Sequence, residues 1–264
     1  MEQFSRMALL IGADGVDRLK SAKVAVYGLG GVGSFAVEAL ARAGIGHLVL
    51  VDFDEVCLSN LNRQLCALHS TLGRKKADVL RERIADINPQ AQVTIYAEFI
   101  TPENADSLLP ADCDYLVDAV DNITAKLALI EKALALNIPI VSSMGAGNRL
   151  DPARLKIGDI SETSIDPLAK VMRRELRKRG INKGVKVVYS EEPPLKPLYN
   201  TVDSSTDCIS SGSETNSNKK RSVPGSVSFV PPVAGMFLAS QVVRDLLGDE
   251  LIRRKNLPEE HNLA

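Results

Sequence analysis

Cysteine is scarce and scattered: Cys57, Cys66, Cys113 and Cys208 form no C-x-x-C pair. That excludes a zinc ribbon and encodes no disulfide framework. An excess of charge of one sign is also missing. Lys plus Arg number 32 and Asp plus Glu 33, for a net charge of -1. The protein is therefore not basic all over, and any nucleic-acid contact must rest on a local patch. No apolar run reaches the ~18 residues of a membrane-spanning helix. The N-terminal stretch MEQFSRMALL lacks a basic region followed by a long apolar segment, so it does not read as a secretory signal. A soluble, cytoplasmic protein with no membrane partner is expected. His47, His69 and His261 have no triad context and are expected to be structural or on the surface. There is no internal repeat.

What remains is an ordinary globular composition, 45% apolar and 25% charged over 264 residues. Such a chain makes one large domain or two small ones and buries a core without staples. Residues 1–20 place Phe4, Met7, Leu10 and Ile11 at helical spacing. Val24–Tyr27 is a short apolar strand that runs into glycines, and a small-residue helix spans Ser34–Ala43. His47–Asp52 is a second strand, ending on an acid. A charged helix over Arg74–Ile87 stops at Asn88-Pro89. Further strands are read from Val93, over Tyr115–Asp121 and in PIVSSMG, with a helix at 124–136. Continuously apolar strands alternating with helices predict an α/β fold: a Rossmann-like, doubly wound, mostly parallel sheet covered on both faces. After Gly145 the pattern loosens into a C-terminal extension. It holds a basic helix at 166–180, a strand over Lys186–Ser190 and a Ser/Thr-rich stretch at 203–222 read as a mobile loop. Apolar SVSFV follows, then a helix over Val233–Leu247 expected in the core or at a dimer interface.

Gly28-Leu29-Gly30-Gly31-Val32-Gly33 satisfies G-x-G-x-x-G between a strand and a helix. Glycines let the backbone approach phosphate oxygens, and the helix N-terminus offers free N–H groups. Asp52 follows 19 residues after Gly33 at the next strand tip, where it can accept from ribose hydroxyls. This predicts nucleotide binding without choosing between ATP and NAD. The next stretch chooses. Asp54 leads into Ser59-Asn60-Leu61-Asn62-Arg63-Gln64 and then Gly73-Arg74-Lys75-Lys76. Arg63 and Lys76 just beyond a ribose acid suit a triphosphate whose pyrophosphate must leave. Asp121, at the fourth strand's end, suits Mg²⁺ held against phosphates.

These elements (GLGGVGS, VDFDEV, SNLNRQ, GRKKAD and DAVDN) resemble the ubiquitin-activating-type adenylating superfamily, which includes the activators of sulfur-carrier proteins. Within it, MGAGNRLDPARLKIGDISETSIDPLAKVMRRELRKRGI, with Asp166-Pro167 opening the basic helix, and the Tyr189-Ser190-x-Glu192 strand end resemble the tRNA threonylcarbamoyladenosine dehydratases; Pro224-Gly225-Ser226 matches more weakly. The resemblance implies one adenylating domain over 1–264, with an N-terminal segment (1–20), a nucleotide-binding core (22–145) and a substrate and dimer region (146–264). It implies ATP and Mg²⁺ as cofactors, a tRNA substrate, a homodimer and a sulfur-transfer protein as a further partner. The implied roles put phosphates on Gly28, Gly30, Gly31 and Gly33, ribose on Asp52, and ATP orientation on Asn60, with weaker claims for Asp54 and Gln64. Arg63, Lys76 and Asp121 would be catalytic, Asp121 as the metal ligand. Arg6, in Phe4-Ser5-Arg6, would reach the ATP of the other subunit.

The implied reaction is adenylation of the threonylcarbamoyl carboxylate followed by ring closure beside the anticodon. The alternative is adenylation of a small carrier protein's C-terminus, against which the missing C-x-x-C pairs argue. A non-catalytic nucleotide-binding scaffold and an NAD-dependent oxidoreductase are the remaining readings. Arg173, Arg174, Arg177, Lys178 and Arg179, with Lys170, Lys183 and Lys186, carry only Glu175 among them and are candidates for tRNA phosphates; a solvated helix face is the alternative. Lys219-Lys220-Arg221 adds a second cluster. Cys57 and Cys66 read as buried fillers, and Cys208 as either an incidental thiol or a loop nucleophile.

Overall fold

Each apolar run buries a strand, and the computed structural model describes residues 2–199 and 224–253. The described strands are β1 (Lys23–Tyr27), β2 (His47–Val51), β3 (Gln92–Tyr96), β4 (Tyr115–Asp118), β5 (Ile140–Ser143), β6 (Leu155–Asp159) and β7 (Lys186–Ser190). The helices are α1 (Ser5–Ser21), α2 (Gly33–Arg42), α3 (Lys76–Ile87), α4 (Ala105–Leu108), α5 (Ile123–Ala135), α6 (Pro167–Lys178) and α7 (Val230–Arg253). The strands form one sheet in the order β3-β2-β1-β4-β5-β7-β6, parallel except for β6, which runs antiparallel to β7. Chain order reverses between β1 and β4, and in such sheets ligands bind outside the carboxyl ends of the strands at that reversal.

Both faces are covered, which is why the strands read as unbroken apolar runs. Along β1, Val24 and Val26 join a core layer with Leu40 of α2 and Leu238 of α7. Ala25 and Tyr27 join the opposite layer, with Leu129 of α5 and Leu176 of α6. Register puts the tips level: Tyr27 pairs with Val51 on one side and with Asp118 on the other. The phosphate motif, Asp52 and the 118–121 turn therefore open onto one edge.

The N-terminus is anchored at the other edge. The Phe4 ring lies 3.1 Å from where a Cβ on Gly44 would stand, and Gln3 Nε2 donates to Asn88 Oδ1 at 3.3 Å. Gly44 leads into the amino end of β2 and Asn88 into that of β3.

The structure differs from the sequence reading at several elements. β6 and the one-turn helix α4 were not anticipated. Residues 224–229 run without helix or strand into α7, which starts at Val230 rather than Val233, with Pro231 and Pro232 in its first turn. The charged helix begins at Lys76 rather than Arg74. The 203–222 stretch, Cys208, the 219–221 cluster and His261 lie outside the described residues. Among the described residues no helix is long and apolar enough to cross a membrane.

Candidate nucleotide-binding and adenylation site

The phosphate loop is shaped first by what glycine permits. Gly28 has φ 82°, and a Cβ there would meet the Ala119 carbonyl oxygen at 2.7 Å; one on Gly33 would lie 1.7 Å from the Gly28 carbonyl oxygen. These two are demanded by packing of strand, turn and helix. Gly30 is different. A Cβ there would find only Gln64 Nε2, at 3.8 Å. The open side of Gly30 is the cradle a phosphate fits, and no side chain caps the adjoining N-terminus of α2.

Asp52 Oδ2 accepts the Leu29 N–H at 2.5 Å and Oδ1 accepts the Asp54 N–H at 2.8 Å. The acid thus pins the loop. Burial pushes its carboxyl above the usual range, opposed by Lys76 and by these two amides. Lys76 opens α3 with its side chain only 5% exposed, and its Nζ donates to Asp54 Oδ2 at 2.7 Å. Asp54, placed by the sequence among cofactor ligands, holds the ammonium. An edge-to-face pair, Phe53 and Phe99, stands next to Asp52 with ring centroids 5.0 Å apart.

The turn after β2 brings Arg63 to the loop. Asn60 Oδ1 accepts the Cys57 N–H at 3.1 Å, and the Asn60 carbonyl accepts the Arg63 and Gln64 N–H groups at 3.0 Å. Asn60 therefore folds the turn. Arg63 Cγ stands 3.3 Å from where a Cβ on Gly31 would be, with Pro231 of α7 3.1 Å from the same point. Arg63 Nη1 donates to the Ser59 carbonyl at 2.8 Å and to Asn62 Oδ1 at 2.9 Å. Ser34 Oγ, accepting Leu65 N–H at 3.2 Å, locks the turn to α2. Cys66 is a buried filler as expected; burial pushes its thiol up to about 11, so it stays neutral. Cys57 is buried as well, as expected.

Sequence reasoning missed a buried ion pair beneath the 118–121 turn. Lys126 Nζ donates to Asp118 Oδ2 at 3.0 Å and to the Ser143 carbonyl at 2.7 Å, while Ser142 Oγ donates to Asp118 Oδ2 at 2.5 Å. Asp118 Oδ1 accepts the Val120 N–H at 3.1 Å. With Asp118 committed, exposed Asp121 is the carboxylate this turn presents. A single exposed carboxylate at a strand tip fits Mg²⁺, which takes its other ligands from phosphates and water. No group of three or more metal-binding side chains occurs among the described residues.

The Asp166 and Tyr189-Ser190-x-Glu192 motifs lock the loop after β5. Asp166 Oδ1 caps α6 through the Leu168 and Ala169 N–H groups, at 2.9 and 3.1 Å, and Oδ2 accepts the Gly145 N–H at 3.2 Å. The Glu192 carboxylate accepts the Leu150 and Asp151 N–H groups at 3.0 and 2.9 Å, and Arg149 Nη1 donates to the Glu192 carbonyl.

Two sets of predicted residues stand apart from this cluster. Arg6 is exposed, two residues past Phe4 and so near the amino edge of its own sheet. The basic helix is partly neutralised. Arg174 and Lys178 each pair with Glu175 at 3.0 Å, Arg179 with Glu131 at 3.1 Å, and Arg173 donates to the Thr163 carbonyl at 2.6 Å. Lys186 pairs with Asp245 of α7 at 2.6 Å. Exposed Lys170, Arg177 and Lys183 make no ion pair among the described residues. His47, partly buried, sits 3.0 Å from Thr94 Oγ1, and His69 is exposed.

Comparison with known proteins places the chain in a family. The chain is 46% identical over 254 residues to the tRNA threonylcarbamoyladenosine dehydratase of Bacillus subtilis, covering 96% of this chain and 98% of that protein. The solved structure of E. coli tRNA N6-threonylcarbamoyladenosine dehydratase in complex with ATP superposes with a TM-score of 0.80 at 33% identity, covering 93% of this chain and 94% of that one. The sulfur carrier protein ThiS adenylyltransferase of E. coli matches less of the chain, 56%, at 36% identity over 152 residues. The ThiF family model matches residues 4–263, and the chain belongs to that family.

Proposed function

We propose that this chain is an ATP-dependent dehydratase that cyclises threonylcarbamoyladenosine in tRNA. One observation supports the adenylating chemistry: a buried ammonium (Lys76) and a guanidinium (Arg63) stand beside an open-sided glycine loop and the buried carboxylate of Asp52. The near full-length likeness to tRNA dehydratases supports the choice of substrate.

A carboxylate is a poor electrophile because its oxygen is a poor leaving group. In the proposed reaction a carboxylate oxygen of the threonylcarbamoyl group attacks the α-phosphorus of ATP. The bond to the bridging oxygen breaks, and pyrophosphate departs with that electron pair. Gly30 and its neighbours cradle the phosphates, Asp52 holds the ribose, and Arg63 and Lys76 stabilise charge on the α-phosphate and the leaving pyrophosphate. Mg²⁺, held by Asp121, would neutralise phosphate charge. The ureido group of the same nucleoside then attacks the acyl carbon. AMP leaves with the former carboxylate oxygen, and the ureido proton passes to solvent. Ring closure is intramolecular, so no protein nucleophile is needed, which agrees with the neutral, buried Cys66. Arg6 would complete the site of the other subunit in a homodimer. Lys170, Arg177 and Lys183 would touch tRNA phosphates.

The test is mass spectrometry of nucleosides from threonylcarbamoylated tRNA incubated with the protein, ATP and Mg²⁺. The modified nucleoside is expected to lose the mass of one water. An unchanged nucleoside, with pyrophosphate released only when a carrier protein is supplied, would overturn the proposal.

A further inference from the structure

We infer that Asn62 is a positioning residue for Arg63, holding the guanidinium in register through a tether to the segment preceding α7. This rests on the role proposed above for Arg63. Asn62 uses both ends of its side-chain amide. Oδ1 accepts from Arg63 Nη1 at 2.9 Å, and Nδ2 donates to the Ser226 carbonyl at 3.0 Å. The reversed amide would set NH₂ against a guanidinium and oxygen against a carbonyl, so one orientation satisfies both neighbours.

The far end of the tether is fixed as well. Asn148 N–H donates to the Gly225 carbonyl at 2.7 Å, and Gly225 N–H donates to Asn148 Oδ1 at 2.7 Å. Asn148 reaches this double contact from a left-handed backbone, φ 57°. The restraint on Arg63 thus runs from the β5–β6 loop through Gly225 and Ser226 to Asn62, across the side of the site where Pro231 meets Gly31. The Asn62 bonds lie near solvent, where a hydrogen bond adds little stability. What they supply is direction. A guanidinium that must meet an α-phosphate loses rate when its approach is left free.

The experiment is a double-mutant cycle on pyrophosphate release with threonylcarbamoylated tRNA, using Asn62→Ala, Arg63→Ala and the pair. Asn62→Ala is expected to lower kcat about tenfold, with KM for ATP within about twofold of the parent. Its melting midpoint is expected to match the parent. In the Arg63→Ala background, measured by radiolabelled pyrophosphate, Asn62→Ala is expected to add no further loss. An equal loss in both backgrounds, or parental kcat in Asn62→Ala while Arg63→Ala is slow, overturns the positioning role alone. Parental turnover in Arg63→Ala overturns the assignment of Arg63 to adenylation, and this inference with it.

Discussion

Lys76 stands between two acids with different needs. Asp54 is half-buried and bonds it directly; Asp52 is buried and feels it as a nearby charge. Burial raises the Asp52 carboxyl, and Lys76 opposes that rise. A raised folded-state value means that the contribution of Asp52 to stability is present below its unfolded value and lost as pH rises through the folded one. The ionised acid is thus a cost at neutral pH. Lys76→Ala is expected to keep the fold and to slow pyrophosphate release on the order of 10²-fold. Residual ATP binding should then weaken at higher pH than in the parent as pH falls, because Asp52 protonates earlier without its cation. Nucleotide titrations between about pH 5 and pH 8 measure this. Asp52 and Asp54 were legible because they follow a strand in a spaced motif, and Lys76 because it comes next in order where a helix opens. Lys126 was not, although a signal existed: it shares the inward register of Ile123, Leu127 and Ile130 on α5, where a lone charge demands a buried partner. Asp118 is that partner, and the sequence reading passed over it in favour of Asp121.

At the scale of elements, α2 is held from two sides. On one side Glu38 accepts from Arg83 of α3 at 2.6 Å and from Arg42 at 2.8 Å. Burial pulls its carboxyl upward, but the two arginines outweigh that and leave it below the ordinary carboxylate range. A lowered folded-state value gives stability that is present above the unfolded value and lost as pH falls through the folded one. Both arginines are about half exposed, so solvent screening keeps the pair modest. Glu38→Gln is expected to cost about 1 kcal/mol at pH 7. The gap to the parent should close below the carboxylate's unfolded value of 4.5, as read from urea melts at both pH values. On the other side Gly235 lets α7 approach α2, since a Cβ there would stand 2.3 Å from the Val32 carbonyl oxygen. Gly235→Ala is expected to cost about 1–3 kcal/mol through forced separation, visible as a lower thermal midpoint. Elements with a full apolar period were legible to within a few residues. β6 was not: LKIGD is five residues, half-exposed at a sheet edge, with a glycine inside and only Leu155 buried, so it lacks the run that marks the central strands. Its pairing with β7 is decided by tertiary contact rather than local pattern.

At the scale of the whole molecule, the position of Arg6 becomes an argument. In its own chain it lies near the amino edge of the sheet, while the phosphate loop, Asp52 and Lys76 open at the carboxyl edge. A five-residue strand such as β1 separates the two edges by about 17 Å, which an arginine side chain cannot bridge. If Arg6 serves catalysis, it serves the site of another copy. A symmetric dimer provides that arrangement reciprocally, each subunit lending its arginine to its neighbour. The prediction follows from counting intact sites. Arg6→Ala and Lys76→Ala, each purified alone, are both expected to be slow. When equal amounts are unfolded together and allowed to reassemble, about half of the dimers are mixed. Each mixed dimer pairs the intact Lys76 of one subunit with the intact Arg6 of the other at one of its two sites. Pyrophosphate release should recover to about a quarter of the parental rate. If Arg6 acted on its own subunit, every site in the mixture would still lack one of the two cations. The mixture would then run at the average of the two variants, with no recovery.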